Sequence, residues 1–508
     1  MQVWLFYSIF VFRGTAYITM TEKASYPQWV LEQKRPGTEV RRIRGFYYLY
    51  EAKCVYDKDK KRGRKVTGKY LGRITEADGL LAPRVKKPAT IGKIESDKEY
   101  GITALYEAIM PEYSDLLKKH FPEDWQTILA MAYCRLVKQS SMKMMDFNFS
   151  GSYMSELLPE AKLSGDYLTK HIRKIGIKRE AVVNFCREFR TADDNIIFDG
   201  TDLLSESSRM NLPKFSKSKP GSYENLINLM FVYSVGAKVP VYYRIMPGDI
   251  KDVKSFSLCF KESGIKDATA IIDKGFYSRK NIRMLEDAGM KFIVPLKRSD
   301  KGIDYGPVMA GGISGMEGHF SFEGRNIWYY RRKMGDRDMF VYLDTRLREK
   351  ESDDFLSRVE SNMGKKPEKR DESYTEEAYK DKYATFGTLA IITNSGKEPK
   401  DVYVDYKSRC NVETMIDTFK NVLDIDHSYM QDEHALEGWM FSNYIALHWY
   451  YKIYQLLAKT ELISRYSPMD IIDFLQETRK IKIDGKWYLK EATAKTAKVL
   501  KKMGLDLK

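Results

Sequence analysis

Cysteine is scarce: five residues in 508 (Cys54, Cys134, Cys186, Cys259 and Cys410), far apart and without a CxxC pair. The six histidines show no zinc-ligand spacing. Reduced thiols are therefore expected, with neither a disulfide framework nor a structural zinc. Proline is sparse too, 16 residues against 35 tyrosines and 43% hydrophobic residues, which excludes a disordered chain. No apolar run reaches membrane-spanning length. The first dozen residues, MQVWLFYSIFVF, are too short to cross a bilayer and lack the leading positive charge of a secretory signal. A polar stretch follows Met20, so residues 1–19 read as an over-extended start. A soluble intracellular protein is the expectation.

What is present is charge. Lys and Arg number 85 against 70 Asp and Glu, a net +15, and such a surplus favours DNA, RNA or acidic membranes as partners. The length allows two to four domains, and no internal repeat is found.

Residues 20–98 form a basic β-hairpin region. From Arg41 to Arg73 there are twelve basic residues against three acidic, and FYYLYEAKCVY and RKVTGKYLGRI read as strands joined by DKDKKRG. Such a hairpin suits a phosphate backbone, and a solvated hairpin with charged edges would look the same. Residues 99–192 turn to helical periodicity with Lys and Arg on the polar face, either a DNA-binding helical domain or a bundle with a wet face.

From 193 to 298 the pattern is α/β. NIIF reads as a short strand ending at Asp199; NLINLMFVYS and VPVYYRIM follow, then a helix over 251–263. ATAII is a buried strand ending at Asp273, and Ser278 caps a helix before the strand KFIVPL. Strand, strand, strand, helix, strand, helix, strand is the order of the ribonuclease-H-like fold, whose carboxylates end the first and fourth strands. Residues 299–386 read as an inserted β-rich subdomain with a charged tail. Residues 387–460 return to the core, with a helix at 400–424 and a long aromatic helix, and 461–508 form a basic C-terminal tail in a helical C-terminus.

In YKSRCNVETMIDTFK, Tyr406, Arg409, Glu413 and Lys420 stand at offsets 0, 3, 7 and 14, which on one helix places them within an arc of roughly 60°. Alone, Arg409 and Glu413 read as an ion pair one turn apart. With Asp199 and Asp273 upstream, they suggest three carboxylates able to hold two divalent ions about 3.5–4 Å apart for in-line displacement at phosphorus. Asp202 and Asp417 rank second, Asp202 because it falls past the expected strand end.

Y-x2-R-x3-E-x6-K, with IIFDGTDLLS, VPVYYRIMPGDIKDVKSF and IIDKGFYS, resembles the bacterial insertion-sequence DDE transposases that carry this signature, and the spacing matches without departure. The gap of 140 residues between Asp273 and Glu413 leaves room for the inserted subdomain of that group. The resemblance implies Asp199, Asp273 and Glu413 as catalytic metal ligands for two Mg2+ ions, with Mn2+ able to substitute. It implies Tyr406, Arg409 and Lys420 as contacts to the phosphates of the transposon end. Trp328 and Arg331, in the aromatic-basic run of the insertion, would contact DNA near the cut, a base stacking on the ring. The run could equally be a two-faced strand with a buried Trp. Lys274 and Lys297 are further candidates for phosphate contact. Double-stranded DNA (the element's inverted repeats and a target), a homodimer in the synaptic complex and a bacterial, nucleoid-associated setting follow from the same resemblance. A non-cutting DNA-binding derivative and a nuclease without strand transfer are the alternatives.

Overall fold

The computed structural model describes residues 26–57, 61–83, 93–218, 221–250, 252–310, 312–491 and 493–505. The start expected to be over-extended, residues 1–19, lies outside them. The chain divides between Gly92 and Lys93 into two units.

In the first unit the hairpin of Phe46–Asp57 and Arg62–Thr75 is flanked by Thr38–Ile43 on one side and Gly79–Leu81 on the other, giving a four-stranded sheet. Val40, Leu49 and Ile74 pack under it with Val30 of the short helix Gln28–Leu31.

The second unit is built on a large mixed sheet. Its centre has the spatial order Val239–Pro247, Tyr223–Ser234, Asn195–Ser205, Thr269–Ile272, Lys291–Pro295. The first three are antiparallel neighbours; the last two run parallel to Asn195–Ser205. That spatial order, third-second-first-fourth-fifth in the chain, fits the ribonuclease-H-like fold expected from the order of elements along the sequence. The apolar runs place Phe198, Phe231, Tyr242, Ile271 and Phe292 in the core, each essentially without exposure. Ser278 caps the helix Arg279–Asp287, its side chain accepting from the Asn281 amide.

The inserted segment departs from expectation. Its strands Gly318–Phe322, Arg325–Met334 and Arg337–Asp344 do not form a separate β subdomain. They extend the same sheet, because Thr388–Thr393 pairs with Lys291–Pro295 on one side and with Arg337–Asp344 on the other. The pairing covers an edge that would otherwise present unpaired backbone groups. The charged stretch after it is helical, Thr345–Met363 and Glu376–Tyr383, around a small core of Phe355, Val359 and Phe386.

The long helix Glu433–Lys459 runs beside Gly165–Ile177 and Trp125–Lys138 in the helical region. Two glycines permit that closeness. A Cβ on Gly176 would lie 1.8 Å from the His434 carbonyl oxygen, and one on Gly438 would lie 1.9 Å from that of Ile172. The C-terminal tail is not wholly helical. Arg479–Ile483 pairs with Lys486–Leu489 and, antiparallel, with Ile94–Glu99, a strand that the sequence reading placed in the basic hairpin region. No described helix is long and apolar enough to cross a membrane.

Candidate active site

The strand expected to end at Asp199 runs on to Ser205, because residues 200–204 stay paired with Tyr223–Ser234. What ends there is its parallel neighbour. Ile272 pairs with Phe198, and the next residue, Asp273, leaves the sheet into a short 3-10 turn, Lys274–Phe276. The sheet opens at that level, and one further step of register brings Asp273 beside Asp199. Asp199 is buried and its Oδ1 accepts from the Gly200 amide at 2.9 Å; Asp273 is half-buried.

The glutamate comes from across the opening. The helix expected over 400–424 is broken into Pro399–Lys407, Cys410–Asp417 and a π-helical turn, Thr418–Val422. The break is a tightened turn in which the Arg409 amide bonds back to Tyr406 O at 3.1 Å and that of Asn411 to Ser408 O at 2.9 Å. Tyr406, Arg409, Glu413 and Lys420 therefore do not share one uninterrupted helix face, as constant 100° steps would require. The structure still brings Arg409, Glu413 and Lys420 to the aspartates.

Arg409 lies between the acids. Its Nη1 is 3.7 Å from Asp199 Oδ2 and 3.8 Å from Asp273 Oδ1, and its Nη2 donates to Glu413 Oε1. Burial opposes the guanidinium charge, but Asp273, Asp199 and Glu413 outweigh it and hold its pKa above the ordinary arginine value. Tyr406 is raised as well, by burial first, with Asp273 and Glu413 adding to it and Arg409 opposing. Lys420, set by the π turn, donates from Nζ to the carbonyl of Asp202 at 2.9 Å. Such turns recur at functional sites.

Asp199, Thr201, Asp273, Arg409, Glu413, Asp417 and Lys420 line one cleft of about 530 Å³. A smaller cavity of about 110 Å³ behind it shares Asp199 and Asp273 and adds Asp202 and Asp252. Asp202 is thus on the same strand as Asp199, not past its end, yet among these two spaces it lines only the smaller one. Asp252 was missed by the sequence reading. It starts the helix Asp252–Ser263, and a Cβ on Gly275 would come within 3.0 Å of its Oδ2 and 3.8 Å of Asp273 Oδ2. The signal available was an acid opening a helix just after the turn PGD.

Asp199, Asp273 and Glu413 carry the hard oxygen donors that divalent ions take. Among the described residues no three His, Cys, Asp or Glu side chains stand ready to share one ion; the Arg409 guanidinium takes the space between them.

Trp328 and Arg331 line neither space. Arg331 makes a two-pronged pair with Asp338, Nε–Oδ1 2.7 Å and Nη2–Oδ2 2.9 Å, on the adjacent strand. Trp328 is half-buried against His319, ring centroids 4.8 Å apart. Lys274 and Lys297 are exposed. Arg135, another residue the sequence did not single out, is buried in the helical region. It donates from Nε to Asn443 Oδ1 at 2.7 Å and from Nη2 to the Leu423 carbonyl, just after the π turn.

Residues 190–449 match the family model described as the transposase DDE domain. No curated protein matches the chain. Among solved structures, the chain is similar to the cryo-EM structure of the piggyBac transposase synaptic complex with hairpin DNA. That likeness has 11% identity and a TM-score of 0.38 over 75% of this chain and 80% of the other, too weak to bear on fold or function. The family match spans the strand of Asp199, the turn of Asp273 and the helix of Glu413, and with more than half its length inside that match, this chain belongs to the transposase DDE domain family.

Proposed function

We propose that the chain is a bacterial insertion-sequence transposase that cuts DNA at the ends of its own element and joins the freed 3′-hydroxyl to target DNA. The observation that carries the reading is the convergence of Asp199, Asp273 and Glu413, from a strand, the turn after its parallel neighbour and a helix, on one guanidinium at the mouth of an open cleft. Asp199, Asp273 and Glu413 would hold two Mg2+ ions. Bound there, the ions supply Lewis-acid stabilisation of charge at phosphorus and a more nucleophilic oxygen.

The protein's own groups do the rest. Asp199 is held within the sheet and Asp273 directly follows the end of the neighbouring strand, while Glu413, about half-exposed, approaches from the helix. Arg409 balances the three acids and would contact a phosphate of the DNA end. Lys420 and Tyr406 contact the same backbone stretch and hold the scissile bond in line. Trp328 and Arg331 belong to a DNA contact on the inserted strands. Two ends cut in concert call for two copies on DNA, so a homodimer forms in the synaptic complex, at the bacterial nucleoid.

The test is cleavage of an end-labelled duplex carrying the repeat that flanks the gene, with and without Mg2+. Nicking at the repeat boundary that vanishes in Glu413→Gln, Asp199→Asn and Asp273→Asn, with binding retained, supports the reading. Normal cutting by Glu413→Gln sinks the triad. Tight, salt-sensitive binding by the wild type with no cutting in Mg2+ or Mn2+ would instead mark a non-cutting DNA-binding derivative.

A further inference from the structure

The basic hairpin has a feature that composition does not convey. Thr38–Ile43 covers the neighbouring strand only over Phe46–Glu51, and Gly79–Leu81 covers the other only over Arg73–Thr75. Past Ala52, whose amide still bonds to Gly37 O, residues Lys53–Asp57 and Arg62–Val66 pair, among the described residues, only with each other. They form a two-stranded ribbon roughly 17 Å long at about 3.4 Å per residue. Lys53 to Tyr56 and Arg62 to Val66 are all exposed, with Val55 at 53% and Val66 at 41%. A bare two-stranded ribbon is marginal in water, so its length calls for a partner.

The register sorts its side chains. Val55 faces Arg64 and Lys53 faces Val66, and with Arg62 these share one side of the ribbon; Cys54, Tyr56 and Lys65 share the other. Lys65 is engaged at the root, 2.9 Å from Glu39 Oε2. Lys53, Arg62 and Arg64 are paired with no described carboxylate. One side thus presents three cations around two valines, with Asp57 at the register position opposite Arg62. Below it, the sheet carries more of the same chemistry, with Arg73 4.0 Å from the centre of the Phe46 ring and Arg41 5.6 Å from that of Tyr50.

We infer that this ribbon enters the major groove of duplex DNA with its Lys53–Val55–Arg62–Arg64–Val66 side toward the bases. A groove about 12 Å wide and 8.5 Å deep admits a two-stranded ribbon. The cations reach phosphates and guanine edges, and the valines meet thymine methyl groups. The inference rests on the proposed function for its choice of partner, but it concerns a surface separate from the acidic cleft.

The experiment uses the full chain with Cys410→Ser throughout and a duplex carrying a cytosine whose major-groove tether ends in a mixed disulfide, so that a nearby cysteine thiolate exchanges into it and a small thiol leaves. Val55→Cys with Cys54→Ser should form a disulfide with the tethered duplex, whereas Val55 with native Cys54, on the other side, should not. Separately, the triple variant Lys53→Gln, Arg62→Gln, Arg64→Gln should bind duplex more weakly. The slope of log K against log salt should fall by about 2.7, near 0.9 for each phosphate no longer neutralised, with an unchanged melting temperature. Equal cross-linking from both sides, or an unchanged Kd and slope in the triple variant, overturns the inference. If the wild type cuts in Mg2+ while the ribbon tests fail, only the ribbon assignment falls. If the wild type cuts no duplex, the functional reading falls, and the cross-link still decides whether the ribbon binds DNA.

Discussion

Arg409 Nη1 stands 3.7 Å from Asp199 Oδ2, at the point where the central sheet opens. The guanidinium reaches Asp273 and Glu413 as well, so the charge that quiets this acidic cluster is carried by a side chain that can leave. Like-charged carboxylates this close oppose each other's ionisation unless a cation lies among them.

Replacing Arg409 by Gln keeps the length roughly and removes the charge. The variant should be less stable without metal by about 1–3 kcal/mol, the cost of stranding buried charge. The rise in melting temperature on adding Mn2+ should be larger than in the wild type, because the ions then supply all the compensation. Thermal-shift titrations of both proteins measure this; an equal or smaller Mn2+ response in Arg409→Gln would show that the guanidinium does not stand in for metal.

Lys420 is positioned by its bond to the Asp202 carbonyl. Lys420→Ala should raise the Kd for the end duplex about tenfold, near 1.4 kcal/mol, and slow cleavage, while the Mn2+ thermal shift stays as in the wild type. A variant that instead lost the metal response would make Lys420 part of the ligand scaffold.

Arg135 ties three pieces of the second unit together. Besides Asn443 and Leu423 it donates from Nη1 to the carbonyls of Gln139 at 2.8 Å and Ser140 at 3.1 Å, and burial pushes its pKa down to about 10. Arg135→Met should cost about 3 kcal/mol in urea unfolding, because those carbonyls lose their donor. Arg135→Lys should recover little, since an ammonium cannot span the fork. Full stability in either variant would contradict the bracing role.

Glu99 supplies a pH dependence. It is buried at the end of Ile94–Glu99, accepting from the Ile102 amide at 2.6 Å and the Tyr133 hydroxyl at 2.9 Å, and burial raises its pKa from 4.5 to about 7. A carboxyl raised on folding stabilises the protein while protonated. Its contribution is complete below about 4.5 and is lost as pH rises through about 7, a change of about 3 kcal/mol across that window. Glu99→Gln should flatten the melting temperature between pH 5 and roughly 8. An identical slope in the two proteins would assign the dependence elsewhere.

The sequence by itself determined the order of strands and helices along the central α/β segment. Short continuous apolar runs bounded by turns suit strands buried on both faces, and Ser278 and the PGD turn mark where helices begin. It also determined which acids were available, since few carboxylates follow such runs. Tertiary structure decided what local patterns cannot encode. Asp199 lies within a strand and is exposed to the cleft only because the neighbouring strand stops at Ile272. The insertion became sheet because its strands found an open edge, and Arg331 turned to Asp338 because the register of the next strand put that carboxylate within reach. A helical wheel assumed constant steps through 400–424, whereas the turn at Ser408 and the π turn at Thr418 change the step. Pairing across long sequence distances sets such features, and no local period records it.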